Sequence, residues 1–472
     1  MLPIEFKERM QALLGEQSKC FFKELEEGEA VRSFRVNAQK IGVEEFEKTA
    51  PDIDRQRAGY PPECYYTNEK NPGFLPCHHA GAIYMQDPSA MATVHAAKVE
   101  RGMKVLDSCS APGGKTTQLA ALAGEEGLVV ANEYDTKRCR ILQSNVERMG
   151  CGNTVILNLD TRVLAECYPG FFDVVLCDAP CSGEGMFRKN SLAVDEWSLE
   201  NVEMCAERQR EILTNVAKCV AKGGQLIYST CTFSQEENEM NVDWFLKTFP
   251  DFILCEVDEA LKAVTSDGIP FEGCLADVKK TRRFYPHISA GEGQYIALFR
   301  RVGGDGSVEK EYTKKDKKKK ERAAQSRPAP EIAEAKRFLD ENLSSYPDAE
   351  LIFYNGSVYL KPPVELPAYG VFAPGVCVGA MTGKTFVPHH QLFSAFGTGF
   401  KRQVLLDYAD ERVSAYLKGH EIAVKEQDEV CAKNASGDGW AAVIVGGCAV
   451  GGGKISGGAC KNHYPKGLRT KQ

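Results

Sequence analysis

Short apolar segments alternate with longer segments between about residues 99 and 302. Five of them have the length and composition of buried strands, at 103–107, 128–131, 154–159, 172–177 and 225–229, and YIALFR at 295–300 predicts a last strand. The segments between them have helical periodicity. In 136–149, four apolar side chains share one face, namely Cys139, Leu142, Val146 and Met149. A second long helix is predicted at 199–222, ending at a glycine pair. This alternation predicts a parallel sheet with helices on its faces.

The flanking regions have different patterns, so the chain is expected to have about three folded units. Residues 1–98 are mixed α and β, and 99–302 form the alternating unit described above. Residues 303–330 have no apolar periodicity and are predicted to be a Lys-rich linker. Residues 331–472 form a C-terminal α+β unit that ends in a glycine-rich β segment.

The charge distribution limits the classes of partner. The chain has 58 Lys and Arg against 65 Asp and Glu, a net charge of −7, which excludes a uniformly basic nucleic-acid-wrapping protein. Basic charge is concentrated in 301–330, where ten Lys and Arg stand against five Asp and Glu. This segment is either a solvated tether or a local contact for phosphate groups.

Cysteine content and hydrophobic runs bear on compartment. Eighteen cysteines in 472 residues are too few for a disulfide scaffold and are interpreted as thiols, and without a CxxC pair no metal site is predicted. The first ten residues lack the apolar core of a signal peptide, and no run of about 18 apolar residues occurs. The protein is therefore expected to be cytoplasmic and without a membrane partner.

Acidic residues follow three consecutive predicted strands. Asp107 opens the loop DSCSAPGGK, which leads into a helix, and Glu133 and Asp160 follow the next two strands. Because parallel strands end at one edge of a sheet, these groups are expected to lie near a common ligand site. The loop is neither G-x-G-x-x-G nor a Walker A sequence, which disfavours a dinucleotide or a nucleoside triphosphate. The alternative is that each acid only caps its loop.

Two cysteines stand apart from the rest because they lie in polar loops just past strand ends. Cys181 follows one strand in CDAPCSGEG, and Cys231 follows the next in STCT. A thiolate at such an edge is a candidate nucleophile. The alternative, a small buried apolar side chain, is the expected state of most other cysteines here.

These segments carry a specific family resemblance. DSCSAPGGKTTQLA, NEYD, DAPCSGEGMFRKN and YSTCTFSQEENE, in this order, resemble the motifs of the Sun-type (Fmu/RsmF) family of RNA cytosine-5 methyltransferases. FRVN, YMQDPSAMA and FYPHISAGEGQYIALF also resemble that family, and KNHYPKGLR resembles the PUA-like region of its RsmF branch. The resemblance covers almost the whole chain. It implies a Rossmann-like class I methyltransferase domain with a mostly parallel seven-stranded sheet, a mixed α/β N-terminal domain and a C-terminal PUA-like region.

The resemblance also implies S-adenosylmethionine as the methyl donor. Seven loop residues would bind it, namely Cys109, Ser110, Ala111, Pro112, Gly113, Gly114 and Lys115. Glu133 would hold the ribose hydroxyls, Asp160 would lie near the adenine, and Asp178 would lie between the donor and the target base. Cys231 resembles the catalytic nucleophile, and Cys181 resembles the cysteine that assists product release.

The implied reaction is methylation of cytosine carbon 5 in structured RNA, with 16S ribosomal RNA as the expected substrate. Transfer RNA is the alternative substrate, and a non-catalytic ribosome-assembly factor is the alternative function. No oligomer is required. Arg188 and Lys189 are candidates for phosphate contact or for a solvated helix start, and Phe187 for base stacking or, with more weight, core packing.

Overall fold

The structure is a computed structural model that describes residues 2–50, 53–303, 329–425, 429–431 and 437–470. Residues 304–328, which make up nearly all of the predicted linker, lie outside the described residues. No helix in the described part of the chain is long and apolar enough to cross a membrane.

The N-terminal part combines helices with a four-stranded antiparallel sheet, which confirms its mixed α/β character. The helices are Ile4–Leu14, Ser18–Glu27, Val43–Thr49, Pro76–His79 and Pro88–Ala96. The strands are β1 Ser33–Val36, β2 Gln56–Arg57, β3 Cys64–Tyr66 and β4 Ile83–Met85. They are arranged in the order β2-β3-β1-β4.

The central part alternates strands and helices, as predicted. Its helices are Gly114–Ala123, Thr136–Met149, Thr161–Cys167, Ser191–Asp195, Leu199–Val216, Glu239–Thr248 and Glu259–Ala263. Its strands are β5 Lys104–Asp107, β6 Leu128–Asn132, β7 Thr154–Leu157, β8 Phe172–Asp178, β9 Val220–Thr230, β10 Phe252–Cys255, β11 Ser266–Asp267, β12 Arg282–Phe284 and β13 Gln294–Arg301. The four apolar residues predicted to share a face of helix Thr136–Met149 are its buried residues.

The C-terminal part contains two further sheets. Its helices are Pro330–Asn342, His390–Phe396 and Glu411–Leu417. Its strands are β14 Glu350–Tyr354, β15 Ser357–Lys361, β16 Val371–Ala373, β17 Val376–Thr382, β18 Thr385–Pro388, β19 Arg402–Leu406, β20 Ile422–Ala423, β21 Glu429–Cys431, β22 Gly439–Val445, β23 Cys448–Ser456 and β24 Ala459–Asn462. The sheet orders are β14-β15-β17-β18 and β20-β24-β23-β22-β19-β21, and the predicted glycine-rich β segment forms the hairpin of β22 and β23.

The central sheet has ten strands rather than the seven expected. Five parallel strands in the order β9-β8-β5-β6-β7 form its middle and give it the Rossmann-like topology. At one edge, β13 is antiparallel to β9, and β10, β11 and β12 extend that edge. At the other edge, β16 from the C-terminal part pairs with β7. The additional strands are two to four residues long or come from a distant segment, so they leave no strong local pattern.

One predicted helix end is wrong. The helix predicted at 199–222 ends at Val216, and β9 begins at Val220 and contains both glycines. Gly223 has φ +80°, and a Cβ on Gly224 would lie 2.8 Å from the carbonyl oxygen of Asp173 in β8. The glycine pair therefore marks a close approach of two strands, next to a shift in their register, and not a helix end.

The N-terminal and C-terminal sheets share one hydrophobic core. Phe34 and Ile83 belong to the same buried cluster as Val404 and Val443. Lys40 strengthens this junction, because its Nζ donates to the carbonyl oxygens of Ala80, Arg148 and Ala449 at 2.7, 3.3 and 3.1 Å. Burial lowers the pKa of Lys40 to about 8. These contacts hold the outer parts beside the central sheet.

Candidate functional site

The loop after β5 forms the wall of a cavity at the carboxyl edge of the sheet. The cavity has a volume of about 240 Å³. It is lined by Cys109, Ser110, Ala111, Pro112, Gly114 and Lys115 of the predicted loop, together with Tyr84, Met85, Gln86, Ala90, Asp107 and Asp178. Gly113 is not part of the lining. Its φ of +109° instead turns the chain into helix Gly114–Ala123, and a Cβ there would lie 3.1 Å from Leu142 Cδ1.

Sequence reasoning assigned no role in this cavity to the four residues from the N-terminal part. They come from the segment YMQDPSA and its strand β4, which pass over the loop. The Tyr84 ring lies close to the loop backbone at Gly114, where a Cβ would be 3.2 Å from the ring. The signal in the sequence that could have identified these residues was the segment YMQDPSA. The family resemblance included this segment but implied no role for it.

Asp107 presents an unpaired acceptor at the cavity wall. Its Oδ2 accepts a hydrogen bond from Thr116 Oγ1 at 2.6 Å, whereas the buried Oδ1 has no hydrogen-bond partner among the described residues. Burial raises the pKa of Asp107 to about 7, although the Thr116 bond acts in the opposite direction. The free oxygen is therefore available to an N–H or O–H group of a molecule in the cavity.

The other two strand-end acids lie outside the cavity lining. Glu133 is buried behind the loop, where Oε2 accepts from the Ala111 backbone N–H at 3.3 Å and Oε1 accepts from that of Asp135 at 3.0 Å. Asp160 is exposed and caps helix Thr161–Cys167 by accepting from the Arg162 N–H at 2.8 Å. The structure thus brings Glu133 into contact with the loop and places Asp160 at a helix N-terminus.

Asp178, at the end of β8, connects the cavity to the next strand. Its Oδ2 accepts from Lys115 Nζ at 2.6 Å, and its Oδ1 accepts from Ser229 Oγ at 2.5 Å and Gln294 Nε2 at 3.2 Å. Burial lowers the pKa of Lys115, but the charge of Asp178 and this hydrogen bond outweigh burial, so the pKa lies above its usual value. The carboxylate is therefore fixed from three sides.

The two predicted cysteines lie side by side. Cys181 is in the loop 179–186, the first thiol loop, and Cys231 is in the loop 231–238, the second thiol loop. Their Sγ atoms are 3.1 Å apart, and the Cys231 N–H donates to Cys181 Sγ at 3.3 Å. The hydrogen bond to Cys231, together with burial, raises the pKa of the Cys181 thiol well above its usual value. Both residues are half-buried.

Both alternatives predicted for Arg188, a phosphate contact and a solvated helix start, are wrong. Its guanidinium is only 3% exposed and donates to Glu292 Oε2 at 2.7 Å and to Glu24 Oε1 at 2.9 Å. Lys189 likewise pairs with Asp87 at 3.0 Å. Phe187 is buried against Phe6, with ring centroids 5.0 Å apart, which confirms core packing. The positive charges after the first thiol loop are thus used within the protein.

The part of the chain that the structure describes contains no group of three or more His, Cys, Asp or Glu side chains able to hold a metal ion.

Family models match three stretches of the chain. Residues 94–300 match the 16S rRNA methyltransferase RsmB/F model, 2–88 match the N-terminal domain of RsmF, and 404–470 match the RsmF PUA domain. Ribosomal RNA small subunit methyltransferase F of Vibrio atlanticus is 31% identical over 454 residues, which cover 93% of this chain and 91% of that protein. The chain belongs to the RsmF family of RNA methyltransferases. The predicted family and its PUA region are confirmed.

A further relative and two solved structures are also similar to this chain. The RsmF of Serratia proteamaculans is 36% identical over 278 residues, or 57% of each chain. A methyltransferase homologue from Pyrococcus horikoshii has a TM-score of 0.56 at 28% identity, covering 63% of this chain and 95% of its own. NSun6 from the same organism has a TM-score of 0.54 at 24% identity, covering 64% and 99%, and shows the shared fold. The predicted Rossmann-like methyltransferase fold is thus confirmed.

Proposed function

We propose that this protein methylates carbon 5 of cytosine in 16S ribosomal RNA, with S-adenosylmethionine as donor and Cys231 as nucleophile. One observation carries the proposal. A pair of thiols 3.1 Å apart lies at the same sheet edge as a loop-lined cavity. Asp178 lines that cavity and also accepts from Ser229, two residues before Cys231. The names of the relatives support ribosomal RNA as the substrate class.

The cavity fits the donor by the chemistry of its wall. An amino-acid moiety carries an ammonium group, which matches the unpaired Asp107 Oδ1, and a carboxylate, which matches backbone amides at a helix N-terminus. The donor loop from Cys109 to Lys115 would hold this moiety, while Glu133 and Asp160 would hold the ribose and the adenine. When bound, the donor supplies an electrophilic methyl group.

The thiol pair supplies the nucleophile that activates carbon 5 of cytosine. Carbon 5 is a weak nucleophile until the Cys231 thiolate adds to carbon 6, which makes carbon 5 enamine-like. In its protonated form, Asp178 would donate to ring nitrogen 3 as negative charge develops there, and its hydrogen bonds with Lys115, Ser229 and Gln294 fix its position. After transfer, loss of the carbon 5 proton to a base and cleavage of the sulfur–carbon 6 bond restore the C5=C6 double bond of the ring and the Cys231 thiolate. Cys181 acts at this release step.

RNA bisulfite sequencing of cells with and without the gene tests the proposal. We expect 5-methylcytosine to disappear from at least one position of 16S ribosomal RNA and to return with the intact gene, but not with Cys231→Ala. The target base must be unstacked to reach the thiol, so a loop or an opened helix is the expected location. Loss confined to transfer RNA would overturn the substrate, and no loss at any site would overturn the reaction.

A further inference from the structure

Two carboxyl groups tie the thiol loops together in opposite directions. Glu237, in the second thiol loop, accepts from the Ser182 N–H at 3.0 Å and from Ser182 Oγ at 2.5 Å in the first. Glu184, in the first thiol loop, accepts from Thr232 Oγ1 and the Phe233 N–H in the second, both at 2.9 Å. The Ser182 and Thr232 hydroxyls are themselves 2.9 Å apart. Ser182 and Thr232 are the residues that directly follow the two cysteines.

Both carboxyl groups are buried, and each has a further hydrogen-bond donor outside the two thiol loops. Glu237 is 0% exposed and Glu184 is 1% exposed. The second oxygen of Glu237 also accepts from Gln209 Nε2 at 2.8 Å, and the second oxygen of Glu184 accepts from Trp197 Nε1 at 2.9 Å. Every carboxyl oxygen therefore has a partner within the protein. Neither group lines the donor cavity, and both are buried.

We propose that Glu184 and Glu237 are positioning residues that hold the two cysteines at their reacting separation. The catalytic meaning of this inference rests on the proposed function, whereas the geometric claim does not. A buried polar network of this kind is costly unless every member is paired, and when paired it specifies one arrangement of the segments it joins. Here each cysteine is followed at once by a residue bound to a carboxyl group of the opposite loop. A shift of either loop would break the hydrogen bonds of both Glu184 and Glu237.

The number of protons in the network suggests a matched pair of variants. The chain Glu237–Ser182–Thr232–Glu184 has three oxygen–oxygen contacts but only two hydroxyl hydrogens. One further proton, carried by Glu237, would reverse its contact so that Glu237 donates to Ser182 Oγ, and all three contacts would then hold a hydrogen. Burial, which raises the pKa of Glu237 to about 7, favours this protonated form. In Glu237→Gln, the amide N–H₂ can donate to Ser182 Oγ while the amide oxygen accepts from the Ser182 N–H and Gln209. Glu237→Gln therefore keeps the network, and Glu237→Ala removes it.

The test measures how readily the two thiols form a disulfide in the full-length protein. Diamide takes two electrons and two protons from the pair, and differential alkylation with mass spectrometry identifies the Cys181–Cys231 product. The sulfur atoms need to approach from 3.1 Å to a bond length of about 2.05 Å. We expect Glu237→Ala to slow this reaction at least about tenfold, because it loosens the pair, and Glu237→Gln to restore the rate. Glu147→Ala, which removes a half-buried carboxyl group of helix Thr136–Met149, is the control and should not slow it.

Thr232→Val provides a second test that removes only the hydroxyl bridge and preserves the side-chain shape. It should slow disulfide formation less than Glu237→Ala and should lower kcat for methylation with little change in the KM for the donor. A wild-type rate in both Glu237→Ala and Thr232→Val would overturn the inference, as would an equal loss in Glu237→Gln and Glu237→Ala. If the wild-type protein forms the disulfide with this dependence but never methylates RNA, only the proposed function fails.

Discussion

The two halves of the candidate site are built differently, although both lie at the carboxyl edge of the same parallel strands. The donor-loop half encloses a cavity and leaves Asp107 Oδ1 without a partner. The thiol half has no comparable open acceptor at its carboxyl groups, since every oxygen of Glu184 and Glu237 is hydrogen-bonded. The donor-loop half is arranged to bind polar groups of a ligand. The thiol half is arranged to fix the positions of its own side chains. Substitutions in the first should therefore act on KM, and those in the second on kcat.

The largest effect is expected from the thiols themselves. Cys231→Ala should lower methylation at least about a thousandfold and abolish the covalent RNA adduct, because it removes the thiolate proposed to add to carbon 6. Cys181→Ala should instead accumulate the adduct, since release is impaired after addition. Denaturing gel electrophoresis with labelled RNA separates the two outcomes. The reverse pattern would exchange the roles of the two cysteines.

Asp178→Asn tests a residue that connects the two halves, because Asp178 lines the cavity and accepts from Ser229, two residues before Cys231. The substitution removes the charge that pairs with Lys115, whose side chain is only 12% exposed, and weakens the contact proposed for the base. We expect kcat/KM to fall roughly a hundredfold in a labelled-donor assay.

Asp173→Asn is the matched control for this change. Asp173 lies near the other end of β8, where it accepts from the Lys104 N–H at 2.8 Å, so its loss affects the strand without reaching the site. Equal losses in the two variants would show that the effect of Asp178 is only structural.

Local patterns predicted the parts of the site that depend on strand ends. The five parallel strands and the buried face of helix Thr136–Met149 follow from periodicity, and both cysteines follow from their place after β8 and β9. The burial of Arg188 could not be predicted, because its partners Glu24 and Glu292 lie 164 and 104 residues away. The same holds for β16, which joins β7 across more than 200 residues. Contacts between distant segments leave no periodic signal in either one.

Gly113→Ala tests whether the donor loop depends on its backbone turn. The left-handed φ of +109° should cost about 1–2 kcal/mol with a Cβ present, and the Cβ would also press on Leu142. Gly102→Ala is the control, because its φ is +85° but a Cβ there meets nothing within 4 Å. Both variants should lower the free energy of unfolding in urea, and only Gly113→Ala should raise the KM for the donor. An unchanged KM would mean that the loop tolerates the shift.

The smallest effect is expected at Asp160, where capping and the proposed donor contact can be separated. Asp160→Ala should lower the free energy of unfolding by about 1 kcal/mol because helix Thr161–Cys167 loses its N-cap. Asp258→Ala should cost a similar amount, since Asp258 caps helix Glu259–Ala263 away from the cavity, and it should leave the donor KM unchanged. Asp160→Asn keeps an acceptor at the cap and should recover the stability. A donor KM that rises in Asp160→Ala but not in Asp258→Ala would support the adenine contact, whereas an equal KM in both would restrict Asp160 to capping.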